Sequence, residues 1–256
     1  MPEERHYTAS ELLAVMSSRL LEDGQIVFAG VGIPLLAATL AQGLHCRGLT
    51  ILFEGGVIGP NIEPGKLPPS TNEQRCTIRA NMVLPSTDVL LLLQRGYVDV
   101  GFMGGAQIDQ FGNLNSSFIG DPARPKTRLP GTGGGNDIAS LVQMIVAMKH
   151  EKRRFVEQVD FVTSPGFLRG GTTRRDSGLP AGGMYRVVTD LGLFGFDEET
   201  RRMKILALHP GVTIGQVQEN TGFELAVNGE IPVTEPPTER ELAVLRNLDP
   251  QRLYTS

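Results

Sequence analysis

The sequence predicts an α/β fold: an open, mostly parallel sheet with flanking helices. Three observations carry that prediction. Residues 25–29 read as a buried strand, 34–42 as a helix, and 50–53 as a second buried strand. A strand, a helix and a strand in this order call for a crossover connection between parallel strands. The other apolar runs are short, as expected of strands buried on both faces. Finally, 31 glycines and 17 prolines supply turn material for many short connections.

The elements follow in order. Thr8 and Glu11 form a capping-box pattern ahead of Leu12, Leu13, Val15 and Met16, which predicts a helix over 9–22 stopped by Asp23 and Gly24. Gly30 and Gly32 follow the first strand, and Pro34 sits at a favourable first helical position. The second strand ends at Glu54, Gly55 and Gly56. Residues 57–81 hold Gly59-Pro60, Pro64-Gly65 and Pro68-Pro69, and predict a long irregular excursion. A helix capped by Ser86 runs to about Arg95, and a strand over 98–103 ends at Gly104 and Gly105. Residues 106–116 have hairpin chemistry around Phe111-Gly112-Asn113. Residues 138–148 read as an apolar helix, 161–163 and 185–189 as strands, and 193–208 as a hairpin. Thr238 and Glu241 box the start of a terminal helix to Leu248. With no repeat, low-complexity tract or linker, residues 1–256 are expected to form a single domain.

Composition removes several function classes. A net charge of −4 gives no electrostatic case for nucleic acid, and the absence of tryptophan leaves a base-stacking platform unsupported. Runs such as 89–93 are far too short to span a bilayer. The first residues are charged with no apolar segment behind them, so a cytoplasmic, soluble protein is expected. Two cysteines, Cys46 and Cys76, make no disulfide framework. The four histidines lack zinc-ligand spacing, so no metal is expected. There is no nucleophile elbow and no phosphate-binding P-loop pattern.

Four glycine-bearing segments are candidates, three of them just past strands, where open α/β sheets bind their ligands. The first is Gly30-Val31-Gly32, which resembles part of a dinucleotide fingerprint, with Glu54 placed as a ribose-binding acid would be. Against that reading, Leu35 stands where the third glycine belongs, and Pro34 removes an N–H from the helix start. The second is Glu54 itself: a strand-end carboxylate followed by two glycines can be base, nucleophile or metal ligand, or simply a solvated side chain. The third is Gly131-Thr132-Gly133-Gly134-Gly135, followed by Asn136, ahead of a helix. Such N–H groups can cradle an anion or an oxyanion. Gly104, Gly105, Ala106 and Gln107 would line the same edge, or only bend the chain into the hairpin. Arg124, Lys126 and Arg128 form a basic segment leading into the glycine run, suited to phosphate, carboxylate or a subunit contact.

Taken together these stretches resemble the family I CoA-transferases, in particular β subunits of the glutaconate type. The resemblance is carried by residues 53–56, 104–109, 111–116, 119–121, 125–128 and 131–135, and extends through 150–155, 163–166, 188–190 and 219–223. It spans nearly the whole chain. It implies a CoA-transferase family I β-subunit fold, and an active site completed by an α subunit in a hetero-oligomer, α2β2 or larger. It implies that Glu54 is the nucleophile that carries CoA as a thioester. Gly133, Gly134, Gly135 and Asn136, with Gly104, Gly105, Ala106 and Gln107, would bind CoA and the oxyanion. Coenzyme A would be a substrate, with no permanently bound cofactor, and the acyl group would be dicarboxylic. Ring-cleaving acyl-CoA hydrolases of steroid degradation and a decarboxylase share the fold and remain alternatives, as does a silent scaffolding subunit.

Overall fold

The structure is a computed structural model and describes residues 6–227 and 229–255. The chain forms two compact units. The first runs to Val89 and is rejoined by the chain from Pro236 onward; the second is Leu90–Glu235.

In the first unit, Thr8 starts α1 (Ala9–Ser18) with the expected reciprocal cap. The Glu11 N–H donates to the Thr8 hydroxyl at 3.1 Å and the Thr8 N–H to the Glu11 carboxylate at 2.8 Å. The helix ends four residues earlier than the sequence reading, with Arg19 as its cap. β1 (Ile26–Ala29), α2 (Ile33–Leu44) and β2 (Thr50–Leu52) form the crossover, with Ile26 opposite Thr50 in a parallel pair. α2 is apolar on most of its surface because it packs against α1 and the C-terminal helix Glu239–Leu248. β3 (Val57–Ile58) adds antiparallel to β2, pairing Leu52 with Ile58, and β4 (Met82–Val83) adds antiparallel to β3, pairing Val57 with Val83. The excursion is therefore irregular in its middle, which holds a 3-10 turn at Gln74–Thr77, but its first residues form β3, flanked by β2 and β4.

The C-terminal helix is fastened by two ion pairs. Arg246 reaches the buried Glu11 at 2.8 Å, and Arg19 grips Glu241 through two nitrogens at 2.7 Å each. Burial raises the Glu241 pKa, but the Arg19 guanidinium and the Thr238 N–H and hydroxyl outweigh it and hold the carboxyl at about 2. The folded value lies below the ordinary one of 4.5. The stabilisation is thus complete above about pH 4.5 and is lost as pH falls toward 2. Glu241→Gln should melt below the parent at pH 6, with the gap closing as the pH is taken down to 2.5.

α3 (Ser86–Gln94) follows β4, and the division between the units falls inside it. Ser86 is its first residue rather than its cap: the Asp88 and Val89 amides bond to the Pro85 carbonyl. The second unit opens with β5 (Val100–Met103). β6 (Gln107–Asp109) and β7 (Leu114–Asn115) form the expected hairpin, and β8 (Phe118–Asp121) and β9 (Arg124–Arg128) form a two-stranded ribbon. α4 (Gly135–Leu141) leads into β10 (Gln143–Ala147), and β11 (Phe155–Val156) joins β6 in parallel. After α5 (Thr173–Asp176) come β12 (Gly183–Val188), β13 (Gly192–Phe196), β14 (Met203–Leu208) and α6 (Ile214–Glu219). β5, β10 and β12 lie side by side in parallel, with β13 and β14 added antiparallel. Parallel strands at the heart of each unit and helices on their faces make this the predicted α/β class.

Two expectations are corrected. Residues 138–148 are not one helix: α4 stops at Leu141, and 143–147 are the central strand β10. Met144, Ile145, Val146 and Ala147 are buried on both faces of that strand, and a short, wholly apolar run has no periodicity to tell strand from helix. Residues 161–163 are not a strand either. Phe161 and Val162 are exposed, and only Ser164 makes a bridge, to Leu114.

Candidate active site

Glu54 stands at the carboxyl end of β2. The fully buried Phe53 anchors the strand end. Its N–H donates to the Val57 carbonyl at 2.8 Å, and its carbonyl accepts from the Gly56 N–H at 3.0 Å. Glu54 and Gly55 are therefore the two central residues of a tight turn into β3. Both glycines are required by their surroundings. Gly56 has φ +103°, and a Cβ there would lie 1.9 Å from the Leu84 carbonyl oxygen. A Cβ on Gly55 would lie 2.5 Å from Asn72 Oδ1 and 2.8 Å from the Thr71 carbonyl oxygen. The turn is pressed against the end of the excursion, which leaves Glu54 half-buried. A carboxylate held by such a turn has little freedom to relax away from a reacting carbonyl.

The long glycine run lies in the second unit. The Gly131 N–H donates to the Ser116 carbonyl at 2.8 Å, and the Gly135 N–H to the Thr132 carbonyl at 2.8 Å. Gly131 and Gly133 take φ of +95° and +50°, a region open to glycine without strain. Gly134 caps α4 and Gly135 begins it, both buried, while Gly133 and Asn136 are exposed. The Asn136 amide donates to the Thr163 carbonyl at 2.9 Å, tying the start of α4 to the segment after β11. Asn136 therefore braces the loop with its side chain.

Gly104, which is exposed, and Gly105 follow β5 as expected. The Gly105 carbonyl accepts from Arg154 at 3.4 Å, and the Ala106 N–H pairs with the Asn115 carbonyl at 3.1 Å. Gln107 is buried. Its carbonyl oxygen accepts from Asn115 Nδ2 at 2.7 Å and the Asp160 N–H at 3.3 Å, and its Nε2 donates to Asp160 at 3.3 Å. All of these partners are within the protein, so the amide of Gln107 holds the hairpin in place. A cavity of about 930 Å³ in the same unit is lined by Asp109, Asn113, Glu157, Arg169 and Asp176 among others. None of the glycines above borders it.

Sequence reasoning missed Arg174. It is buried, and among the described residues its guanidinium donates only to backbone carbonyls: Pro180 at 3.2 Å, Pro165 at 3.3 Å, Gly166 at 2.9 Å, Ala139 at 3.0 Å and Ser140 at 2.7 Å. Burial lowers its pKa from the ordinary arginine value. Ala139 and Ser140 lie in the last turn of α4, whose first turn begins with the glycine run, and a cation there also meets the negative end of the helix. No local pattern marks this residue, because its partners come from three separate segments. Arg174→Met would leave several carbonyls buried without donors and should destabilise the protein by about 3 kcal/mol or more. Urea unfolding would measure the change.

The incomplete dinucleotide motif has its strand–turn–helix context, with Gly32 at φ +92° before α2. Leu35 is fully buried there, so the position of the missing third glycine is filled by a packed side chain. Among the described residues, no group of three His, Cys, Asp or Glu side chains is placed to hold a metal. No helix among the described residues is long and apolar enough to cross a membrane.

Comparisons with known proteins agree with this layout. The family model for Coenzyme A transferase matches residues 10–220. The chain is 38% identical over 245 residues to the β chain of 3-oxoadipate CoA-transferase of Pseudomonas knackmussii, covering 95% of this chain and 94% of that protein. It is 35% identical over 260 residues to the β chain of glutaconate CoA-transferase of Acidaminococcus fermentans, covering 99% and 97%. The crystal structure of glutaconate coenzyme A-transferase from A. fermentans matches it with a TM-score of 0.92 at 36% identity, covering 98% of each chain. Matched by the family model over most of its length and by these relatives from end to end, the chain belongs to the Coenzyme A transferase family.

Proposed function

We propose that this chain is the β subunit of a cytoplasmic, heteromeric CoA-transferase, and that Glu54 carries CoA between two carboxylic acids. The observation that carries the reading is Glu54 itself, fixed at the end of β2 by a turn that Gly55 and Gly56 alone fit. The Glu54 carboxylate attacks the carbonyl of an acyl-CoA thioester. The C–S bond breaks, giving a mixed anhydride and CoA thiolate. The thiolate attacks the glutamyl carbonyl of the anhydride, which releases the first acid as its carboxylate and leaves a thioester on Glu54. A second carboxylate attacks that thioester and expels the thiolate again. The thiolate then takes the new acyl group and Glu54 is regenerated. Covalent catalysis splits one difficult exchange into easier steps. No water enters, so the thioester energy is kept.

Each attack places negative charge on a carbonyl oxygen. The amides of Gly133 and Gly134 and of Gly104 and Gly105 are the groups that would stabilise it, with an expected effect of about 10²–10³-fold per donor, while the Gly135 and Ala106 amides are bonded to the Thr132 and Asn115 carbonyls and hold the two loops in shape. Gln107 and Asn136 act in this reading by holding those backbones in place. The acyl group is taken to be dicarboxylic, in keeping with the names of the two relatives, and a partner α subunit completes an assembly of α2β2 or larger.

Steady-state kinetics of the assembled enzyme test this reading. Parallel double-reciprocal lines for acyl-CoA against acceptor acid are expected of a covalent carrier. Intersecting lines, or CoA release that ignores the acceptor, would point to direct transfer or to hydrolysis.

A further inference from the structure

β9 differs from the other strands of its unit. Its five residues, Arg124–Arg128, include three cations and no buried side chain. Arg124, Lys126 and Arg128 are all exposed. Among the described residues none of them makes an ion pair. Asp121, opposite Arg124 in the ribbon, accepts from the Ala123 N–H at 2.7 Å. Asp160, which approaches the ribbon, accepts from the Gly120 N–H at 2.8 Å and from Gln107. Three unpaired cations within about 13 Å of strand repel one another and attract an anion of high charge density.

The ribbon is also fixed to the glycine run. At its base the Leu129 N–H donates to the Ser117 carbonyl at 3.0 Å, and the Gly131 N–H to the Ser116 carbonyl at 2.8 Å. Arg128 precedes Gly131 by three residues and Arg124 by seven. At no more than about 3.5 Å per residue, the cations lie within roughly 10–25 Å of the loop along the chain. CoA has a matching shape: its thioester is at one end and its phosphates are at the far end of an extended arm.

The structure assigns Arg124, Lys126 and Arg128 to the phosphates of the CoA nucleotide, as a subsite of the acyl-CoA site. This rests on the reading of the glycine run as part of that site. The two arginines present planar, bidentate donors to phosphate oxygens and Lys126 a point charge. Because the strand is exposed, the attraction is screened by salt.

The test uses the assembled enzyme, with glutaconyl-CoA and glutaconyl-pantetheine as alternative donors, the second lacking every phosphate. For R124Q/K126Q/R128Q the KM for glutaconyl-CoA should rise about tenfold, with less than a twofold change for glutaconyl-pantetheine. Raising the salt concentration should shrink the parent's preference for glutaconyl-CoA and leave that of the variant nearly flat. Lys152→Gln, an exposed cation elsewhere in the unit, is the control. An equal rise with both donors, or none with either, overturns the assignment. So does loss of the partner subunit from the triple variant, which would make β9 a subunit contact. If the parent turns over neither thioester while forming a thioester with another acyl-CoA, only the acyl group is wrong, and the same comparison is run with that acyl group. If it uses no CoA thioester at all, the transferase reading fails and the subsite with it.

Discussion

Glu54→Gln should lower turnover at least a thousandfold, on the order expected when a covalent nucleophile is removed. The amide occupies the same space, so the turn at residues 53–56 and the packing of Phe53 beneath it should persist. What is lost is the oxygen that attacks the thioester. The KM for acyl-CoA should change little, because the carboxylate forms its bond on the way to the transition state and adds little to ground-state binding. Glu54→Asp is the sharper variant. It keeps the charge but withdraws the carboxylate by one methylene from a turn too constrained to follow. A displacement of about 1 Å can cost about a hundredfold, and a loss of that size is expected. Full activity in Glu54→Asp would mean that the turn is more pliant than its glycines imply. Full activity in Glu54→Gln would remove Glu54 from the chemistry.

Gly56→Ala should be among the most damaging single-methyl additions in the chain. Two penalties coincide there. The backbone sits at φ +103°, where a side chain is strained, and the added Cβ would overlap the Leu84 carbonyl oxygen at 1.9 Å. That oxygen belongs to the backbone at the end of β4, and the Leu84 N–H is bonded to the Gly56 carbonyl at 2.9 Å. It cannot swing away as a side-chain end could. A loss of about 3 kcal/mol or more is expected, with loss of thioester formation as the turn moves. Gly96→Ala is the internal comparison. It also has positive φ, +76°, but no atom within 4 Å of the added carbon. It should cost about 1–2 kcal/mol, the conformational strain alone. Denaturant unfolding of the three proteins separates close packing from strain.

Much of this was legible because it is local. The boxes at Thr8 and Thr238 need only four residues each, and both form as expected. β1, α2 and β2 follow from two apolar runs and a proline. The glutamate with two glycines after it was visible as a strand end, though the reason for both glycines was not: it lies in Thr71, Asn72 and Leu84, 15 to 30 residues away. The stretch 138–148 shows the opposite limit. Its helix and strand are equally apolar, and the break between them at Val142 carries no glycine, proline or charge. The irregular 161–163 looked like a strand because of Phe161 and Val162, which instead face outward. Arg174 was beyond local reasoning altogether, since carbonyls from Ala139 to Pro180 make its site. Asn136 and Gln107 entered the candidate site beside the glycines, through the resemblance. The structure shows their side-chain amides bonded within the protein, to Thr163, Asn115 and Asp160 arriving from elsewhere in the fold.

The most direct test of the central claim is the intact mass of this chain, taken from the assembled enzyme after mixing with glutaconyl-CoA and no acceptor acid. The account predicts an increase equal to CoA less one water on this chain, absent in Glu54→Gln and discharged when a carboxylic acid is added. An unmodified chain with free CoA accumulating in solution would contradict it and make the protein a thioester hydrolase on a transferase fold.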